Sequence, residues 1–321
     1  MVAASHPLQT LPPKLAGWAT GSNADGSVPY VHERCGPAPG PEVLLTALVH
    51  GNEYSGAIAL NELLASGWLP ARGRVTAAFC NVAAFDLFDA SQPDASRFID
   101  EDFNRVWGLQ RLDASERSAE LDRARQLRPF VDRATHLLDL HSMHEPCAPL
   151  LVTGTLQRNI DFAQALQTPS QVVVDAGHAD GVRMRDYGAF GEPDGQRIAL
   201  LLEAGQHWEA SAVRVARNTL MRFLVRAGAM ARDAVPTGWL LPDSTPPAPI
   251  IVTDRVVARS MRFSFAQAFT GGETIARAGT TIATDEGQPV LTPYDNCVLV
   301  MPSVRQLRPG VTTVRLGRRL A

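Results

Sequence analysis

Glu42-Val-Leu-Leu-Thr-Ala-Leu-Val49-His50-Gly-Asn-Glu53 is the stretch that decides the fold. Up to Val49 it is almost continuously apolar, the pattern of a strand covered on both faces of a parallel sheet. It stops at a polar turn, His50-Gly-Asn-Glu53, and Ser55 then opens a helical repeat. Ile58, Leu60, Leu63 and Leu64 carry the apolar side of that helix as far as Gly67.

The same alternation continues outward. Arg74-Val-Thr-Ala-Ala-Phe-Cys80 reads as a second strand ending at Asn81, and residues 115–132 read as a helix. His136-Leu-Leu-Asp-Leu140 is a third buried strand, expected to end at His141. Leu150-Leu-Val-Thr and Gln171-Val-Val-Val-Asp175 are further strands, and Arg197-Ile-Ala-Leu-Leu-Leu-Glu203 is the clearest late one, followed by a helix over about 210–226. Strands alternating with helices predict an α/β fold with a buried, largely parallel sheet. Upstream, residues 1–41 are rich in Gly, Pro and polar groups, form a segment packing on the catalytic domain, and contain one strand-like piece, Val28 to His32. The catalytic domain is expected over 42–232, a Pro-rich connector over 233–249, and a small all-β domain over 250–321, where short Thr- and Val-rich runs are broken by Gly and Pro.

The chain has 321 residues, 45% hydrophobic and 20% charged, with a formal net charge of -3, an ordinary balance for a soluble globular protein. No Lys/Arg run points to nucleic acid or a membrane surface, and no apolar stretch is long enough to span a bilayer. Met1 to Leu15 lacks the apolar core of a signal peptide, and Cys35, Cys80, Cys147 and Cys297 are scattered, which suits reduced thiols and a cytoplasmic protein.

Chemistry-bearing residues follow the strands. His50 and Glu53 lie after the first, His141 after the third, and Glu203 at the end of the late one. In open α/β sheets, sites form in the crevice beyond the carboxyl ends of the strands. Two His and one carboxylate are the three-ligand set of a catalytic zinc, which keeps one position open. Asp139, two residues before His141, is placed to orient it. A carboxylate closing the run Ile-Ala-Leu-Leu-Leu is costly unless it is paired, solvated at a cleft, or working. A second cluster, Arg97-Phe-Ile-Asp-Glu-Asp-Phe-Asn-Arg105, supplies fork-shaped donors suited to a carboxylate or an oxyanion. Taken alone, that cluster also fits a solvated loop with internal ion pairs, and His50 also fits a loop histidine capping a helix.

Taken together and in order, His50-Gly-Asn-Glu53, Asn81, Arg97 to Arg105, Asp139-Leu-His141 and Glu203-Ala-Gly-Gln-His207 resemble the succinylglutamate desuccinylase/aspartoacylase family, relatives of the zinc carboxypeptidases. The resemblance implies a carboxypeptidase-like mostly parallel or mixed sheet flanked by helices, with a C-terminal β domain that shields the site or mediates homo-oligomer contacts. It implies one Zn²⁺ per chain on His50, Glu53 and His141, with Glu203 as the base. It further implies Arg97 as the carbonyl-polarising arginine, Asn104 and Arg105 as a substrate-binding pair, and Asp102 as a brace for their loop. Ser142-Met-His-Glu-Pro146 departs from the pattern of either name-giving enzyme. Tyr187, Arg183, Arg185 and Arg197 are further candidates for substrate contact. His144, His178 and His207 read as loop or cleft residues rather than ligands.

The activity so implied is hydrolysis of an N-acyl amino acid or similar small N-acyl compound to a carboxylate and a free amine. Two rivals use the same site: a metallocarboxypeptidase-type enzyme acting on short or cell-wall peptides, and a zinc-bearing binding protein without turnover.

Overall fold

The computed structural model describes residues 7–23, 28–177, 180–243 and 248–320. The first residues of the N-terminal segment, His178, and Pro246 and Pro247 of the connector therefore lie outside the described residues.

The strands are β1 (Val31–Cys35), β2 (Glu42–Ala47), β3 (Arg74–Phe79), β4 (His136–Met143), β5 (Leu150–Val152), β6 (Gln171–Val174) and β7 (Ile198–Gln206), followed by β8 (Ile250–Val257), β9 (Ser264–Phe265), β10 (Thr274–Ile275), β11 (Thr281–Asp285), β12 (Gln288–Leu291), β13 (Cys297–Val300) and β14 (Thr312–Arg319). The helices are α1 (Ser55–Ala65), α2 (Val82–Phe85), α3 (Leu109–Asp113), α4 (Ala119–Arg133), α5 (Gln157–Ala165) and α6 (Ala210–Arg226). Eleven strands form one sheet in the order β1-β3-β2-β4-β7-β5-β6-β8-β14-β13-β10, and β12-β11-β9 form a second. β3, β2, β4 and β7 are parallel, and β5 runs antiparallel to β7. The predicted α/β class with a largely parallel, mixed sheet is the observed one.

Alternation along the central strands sorts side chains between the two faces. Leu138, Leu140, Leu200 and Leu202 pack in the core that includes Leu60, Leu63, Leu220 and Leu224 of α1 and α6. Leu44, Leu137 and Ala199 pack on the other face with Leu121, Leu127 and Val131 of α4. Gly56 lets α1 lie on β4, since a Cβ there would stand 2.5 Å from the Leu140 Cβ. The N-terminal segment is tied down by Gln9 N donating to Trp208 O, by Tyr54 Oη donating to Thr10 O, and by the buried Leu15.

Several boundaries differ from expectation. β1 covers Val31–Cys35 rather than Val28 to His32, because its pairing with β3 runs from Val31↔Ala78 to Cys35↔Arg74, and α4 opens at Ala119 rather than at 115. β2 stops at Ala47 because Leu48 takes a left-handed conformation with φ 58°, which turns the chain before His50. β4 and β7 run further than expected, because their pairing continues through His141↔Glu203 to Met143↔Gln206. His141 thus sits inside β4 rather than after it, as the cross-strand neighbour of Glu203, which lies within β7 rather than at its end. The β-rich C-terminal stretch joins the main sheet directly, β8 pairing parallel with β6, while the sheet of β9, β11 and β12 stands apart from it. Among the described residues no helix is long and apolar enough to cross a membrane. The four cysteines form no disulfide.

Candidate metal centre

Three polar side chains converge where β2, β4 and β7 deliver the chain to the crevice. His50, Glu53 and His141 are all buried, and one donor atom from each lies within 4.8 Å of the others. Glu53 bridges the histidines: its Oε1 lies 2.7 Å from His50 Nδ1 and its Oε2 2.8 Å from His141 Nδ1. Each ring has a carboxylate on its far nitrogen. His141 Nε2 meets Asp139 Oδ2 at 2.8 Å, and His50 Nε2 meets Asp102 Oδ1 at 2.9 Å. Both rings therefore turn Nδ1 inward, the orientation a bound cation requires when the other nitrogen is held by an acid. Asp139 itself is anchored by Thr46 Oγ1, which donates to its Oδ1 at 2.6 Å.

The electrostatics follow from that wiring. Burial works to raise the Glu53 carboxyl, but the charges of His50 and His141 outweigh it and hold it well below the usual carboxylate range. Burial likewise works against a charged His141, and Asp139 with Glu53 overcomes it, so the imidazole is raised well above its ordinary value. The donor set and the spacing fit a divalent cation of the zinc type.

Glu203 behaves in the opposite way. It stands beside His141 across the β4–β7 ladder, yet its Oε2 is buried and meets no hydrogen-bond donor among the described residues. Burial first, and the charge of Glu53 second, push its carboxyl up to about 8. Its surroundings explain this: Leu150 pairs with Glu203 and Val152 with Leu201 on the neighbouring strand, so the acid emerges from apolar sheet surface.

The loop over the site is held by a residue that sequence reading passed over. The buried Glu120 of α4 accepts from the backbone N–H of Ile99, Asp100 and Glu101 and from Asn81 Nδ2. Gly51 allows that loop to cross the turn: its N–H donates to Arg97 O, and a Cβ there would stand 2.3 Å from Ser96 O. Arg97 is thereby delivered to the centre, with Nη1 2.9 Å from Glu53 Oε1 and Nη2 2.9 Å from His50 Nε2. Asp102 both braces its loop, accepting from Asn104 N, and touches His50.

These groups open on a cavity of about 190 Å³ that Asn104, Arg105 and Arg183 also line. Asn104 Oδ1 accepts from Met184 N, which ties the two loops together. Arg183 and Arg315 both reach Asp175 Oδ2, at 3.2 and 3.1 Å. Arg315 comes from β14 and had no signal in its Thr/Val-rich surroundings that could have singled it out. His144 and Ser142 also line the cavity. Ser142 Oγ, His207 Nδ1, His207 Nε2 and His144 Nδ1 form a short chain with contacts of 2.9 and 3.2 Å, and His144 Nε2 lies 3.5 Å from Arg97. Burial lowers both imidazoles, His207 well below its ordinary value, with His144 adding to that effect.

Three candidates fall outside the cavity. Tyr187 packs on Trp107, donates to Asp132 and accepts from Arg128. Arg197 precedes β7, donates to Asp132 O and lies over the Phe190 ring. Six residues of strand separate Arg197 from Glu203, about 20 Å at roughly 3.3 Å per residue, so the strand that brings Glu203 in carries Arg197 to the opposite end. Arg185 turns away to the carbonyls of Thr153 and Ala199.

Residues 39–227, more than half of the chain, match the profile of the succinylglutamate desuccinylase/aspartoacylase catalytic domain. A comparison with curated proteins returns no sequence match. Among solved structures, the fold is similar to a succinylglutamate desuccinylase from Vibrio parahaemolyticus, with TM-score 0.65 and 17% identity over 91% of this chain and 87% of that one. It is also similar to a succinylglutamate desuccinylase/aspartoacylase from Rhodobacter sphaeroides, with TM-score 0.65 and 19% identity over 94% of each chain. The ectoine utilization protein EutE (DoeB) from Ruegeria pomeroyi, solved with product bound, matches with TM-score 0.64 and 20% identity over 92% of each.

Proposed function

Since the chain belongs to the succinylglutamate desuccinylase/aspartoacylase family, we propose that it is a zinc-dependent deacylase that hydrolyses the amide bond of an N-acyl amino acid or a similar small N-acyl compound. The observation that carries this reading is Glu203. An acid with a buried, unpartnered oxygen and a carboxyl pushed up to about 8, beside a His-Glu-His donor set, is a proton carrier poised near neutral pH.

His50, Glu53 and His141 would hold the zinc, with Asp102 and Asp139 fixing the ring orientations. When bound, zinc supplies a Lewis acid that polarises the amide carbonyl and brings the pKa of water toward 7. Glu203 takes a proton from the attacking water, whose oxygen bonds to the acyl carbon. Arg97 offers N–H donors to the carbonyl oxygen as charge develops there. Glu203 then returns the proton to the nitrogen as the C–N bond breaks, which yields a carboxylate and an amine. Asn104 and Arg105 hold an anionic group of the substrate across the cavity. A cavity of about 190 Å³ supports a small substrate over an extended peptide. Such a reaction, and four unpaired cysteines, suit the cytoplasm.

The test uses zinc-loaded wild type and Glu203→Gln, assayed on a panel of N-acyl amino acids. Wild type is expected to bind about one zinc per chain and release amine. Glu203→Gln should keep the zinc and lose roughly 10²- to 10⁴-fold in kcat, the range for removing a general acid–base. A metal-replete wild type that binds no zinc, or a variant with near wild-type turnover, overturns the reading.

A further inference from the structure

The cavity has two walls of different chemistry. One is charged: Arg183 and Arg315 both pair with Asp175, and Arg105 and Asn104 line the cavity with them. These guanidiniums are buried closely enough to oppose one another's charge: burial lowers Arg105 and Arg315, and Arg183 adds to the lowering of each. Such a group gains from an added anion. The other wall is apolar. Met143, Val152 and Leu201 belong to one hydrophobic cluster with Cys147 and Met301 packed against it, and all of these face the cavity. On the sheet this surface adjoins the acid, since Val152 pairs with Leu201 two residues from Glu203.

The apolar wall carries its own sign of unmet polarity. Glu203 leans on it without a donor for Oε2 among the described residues, and burial pushes the partly buried Cys147 thiol near Glu203 up to about 12. A second carboxylate placed there would face Glu203 and hydrocarbon. Arg305, on the segment that follows Met301, is engaged elsewhere: it reaches Asp94 at 2.8 Å and Glu145 at 2.9 Å.

We infer that the substrate is charged on one side of the amide only, with an anionic group on the arginine wall and an uncharged, apolar group of a few carbons against Met143, Val152, Leu201 and Met301. This rests on the deacylase reading and narrows it. A substrate with carboxylates at both ends would place one of them on the apolar wall, where it has no donor.

Three ligands separate the possibilities: N-succinylglutamate, charged on both sides, N-butanoylglutamate, apolar on the acyl side, and N-succinylbutylamine, apolar on the amine side. Binding of their non-hydrolysable isosteres, with CH2 in place of the amide N–H, is measured by calorimetry to zinc-loaded wild type, so Glu203 stays in place and the ranking does not depend on turnover. One of the two half-charged compounds should bind at least about tenfold more tightly than N-succinylglutamate, since each buried methylene is worth about fourfold and an unpaired buried carboxylate costs more. N-succinylglutamate as the tightest ligand overturns the inference. Wild-type turnover of the amide corresponding to the tightest ligand is read separately, and its absence overturns the deacylase reading while the ranking stands. Leu201→Lys, or Met301→Lys at the partly exposed lip should the strand variant not fold, is expected to shift the ranking toward N-succinylglutamate by about tenfold. An unchanged ranking in folded Met301→Lys overturns the assignment of this wall.

Discussion

β4 carries two histidines, five residues apart, with opposite fates. At its amino end His136 lies against Phe162 and Phe223, its Nδ1 meets the Thr135 hydroxyl, and it is pushed by burial down to about 4. Toward its carboxyl end His141 is enclosed more completely, yet Asp139 and Glu53 raise it well above its ordinary value. β7 repeats the contrast, with Arg197 bound to a backbone carbonyl before the strand begins and Glu203 emerging near its far end. Burial alone does not distinguish the two ends. The difference is what packs there: aromatic rings from α5 and α6 at one end, and Asp139 with the bridging Glu53 at the other.

The sharpest way to break that comparison is to remove each histidine in turn. His141→Ala is expected to lose the bound zinc and at least about 100-fold in activity, because it deletes one of three ligands. His136→Ala should keep one zinc per chain and cost roughly 1–3 kcal/mol of stability through lost packing. Metal analysis and urea unfolding of both variants decide it. Zinc retained in His141→Ala, or lost in folded His136→Ala, would erase the distinction between the ends.

A smaller effect should come from the carboxylates behind the rings. Asp139→Asn and Asp102→Asn leave the ligands in place but offer an amide where each His Nε2 now meets an acid. Each is expected to weaken zinc affinity about 10- to 100-fold, measured by competition with a chelator. Asp139→Asn should be the more damaging, since Asp139 also accepts from Thr46 and is fully buried, whereas Asp102 stands in a partly open loop. Equal affinity in both variants and wild type would mean that the rings are oriented by packing rather than by these acids.

Legibility in the sequence followed the same divide. Short-range patterns located the strands, and strand ends located His50, Glu53, His141 and Glu203, because an apolar run interrupted by a titratable residue is a local signal. Lengths were less legible: β4 and β7 extend each other through pairing of residues far apart in sequence, so His141 proved to be a strand residue and Glu203 to lie short of its strand's end. Residues acting across long separations gave no local sign. Glu120 sits in an ordinary charged helix and Arg315 in a C-terminal strand, and only the fold shows that one holds the loop carrying Arg97 and the other reaches Asp175. Tyr187 and Arg197 failed as cavity residues for a related reason, since nearness in sequence to Arg183 or Glu203 says nothing about which end of a strand or which side of a loop a residue occupies.

The smallest effect, and the one that isolates the amino end, is a pH dependence of stability. His136 has a folded-state pKa near 4 against an ordinary value of 6.5, and burial is the cause. Between those values the unfolded chain binds the proton and the folded chain does not, so stability falls as pH drops from about 6.5 toward 4 and is unaffected by this residue above that window. A full shift of this size would amount to about 3 kcal/mol, and the ring's partial contact with solvent reduces the expected loss to roughly 1–2 kcal/mol. His136→Gln cannot take up the proton. With zinc removed from both proteins, urea midpoints at pH 7 and pH 4.5 should therefore diverge, wild type losing that much more than the variant over the interval. Because the metal centre is common to both proteins, its own titration cancels in the difference. Parallel losses would mean that His136 is hydrated when folded, and that the aromatic enclosure at the amino end of β4 is looser than the rings of Phe162 and Phe223 imply.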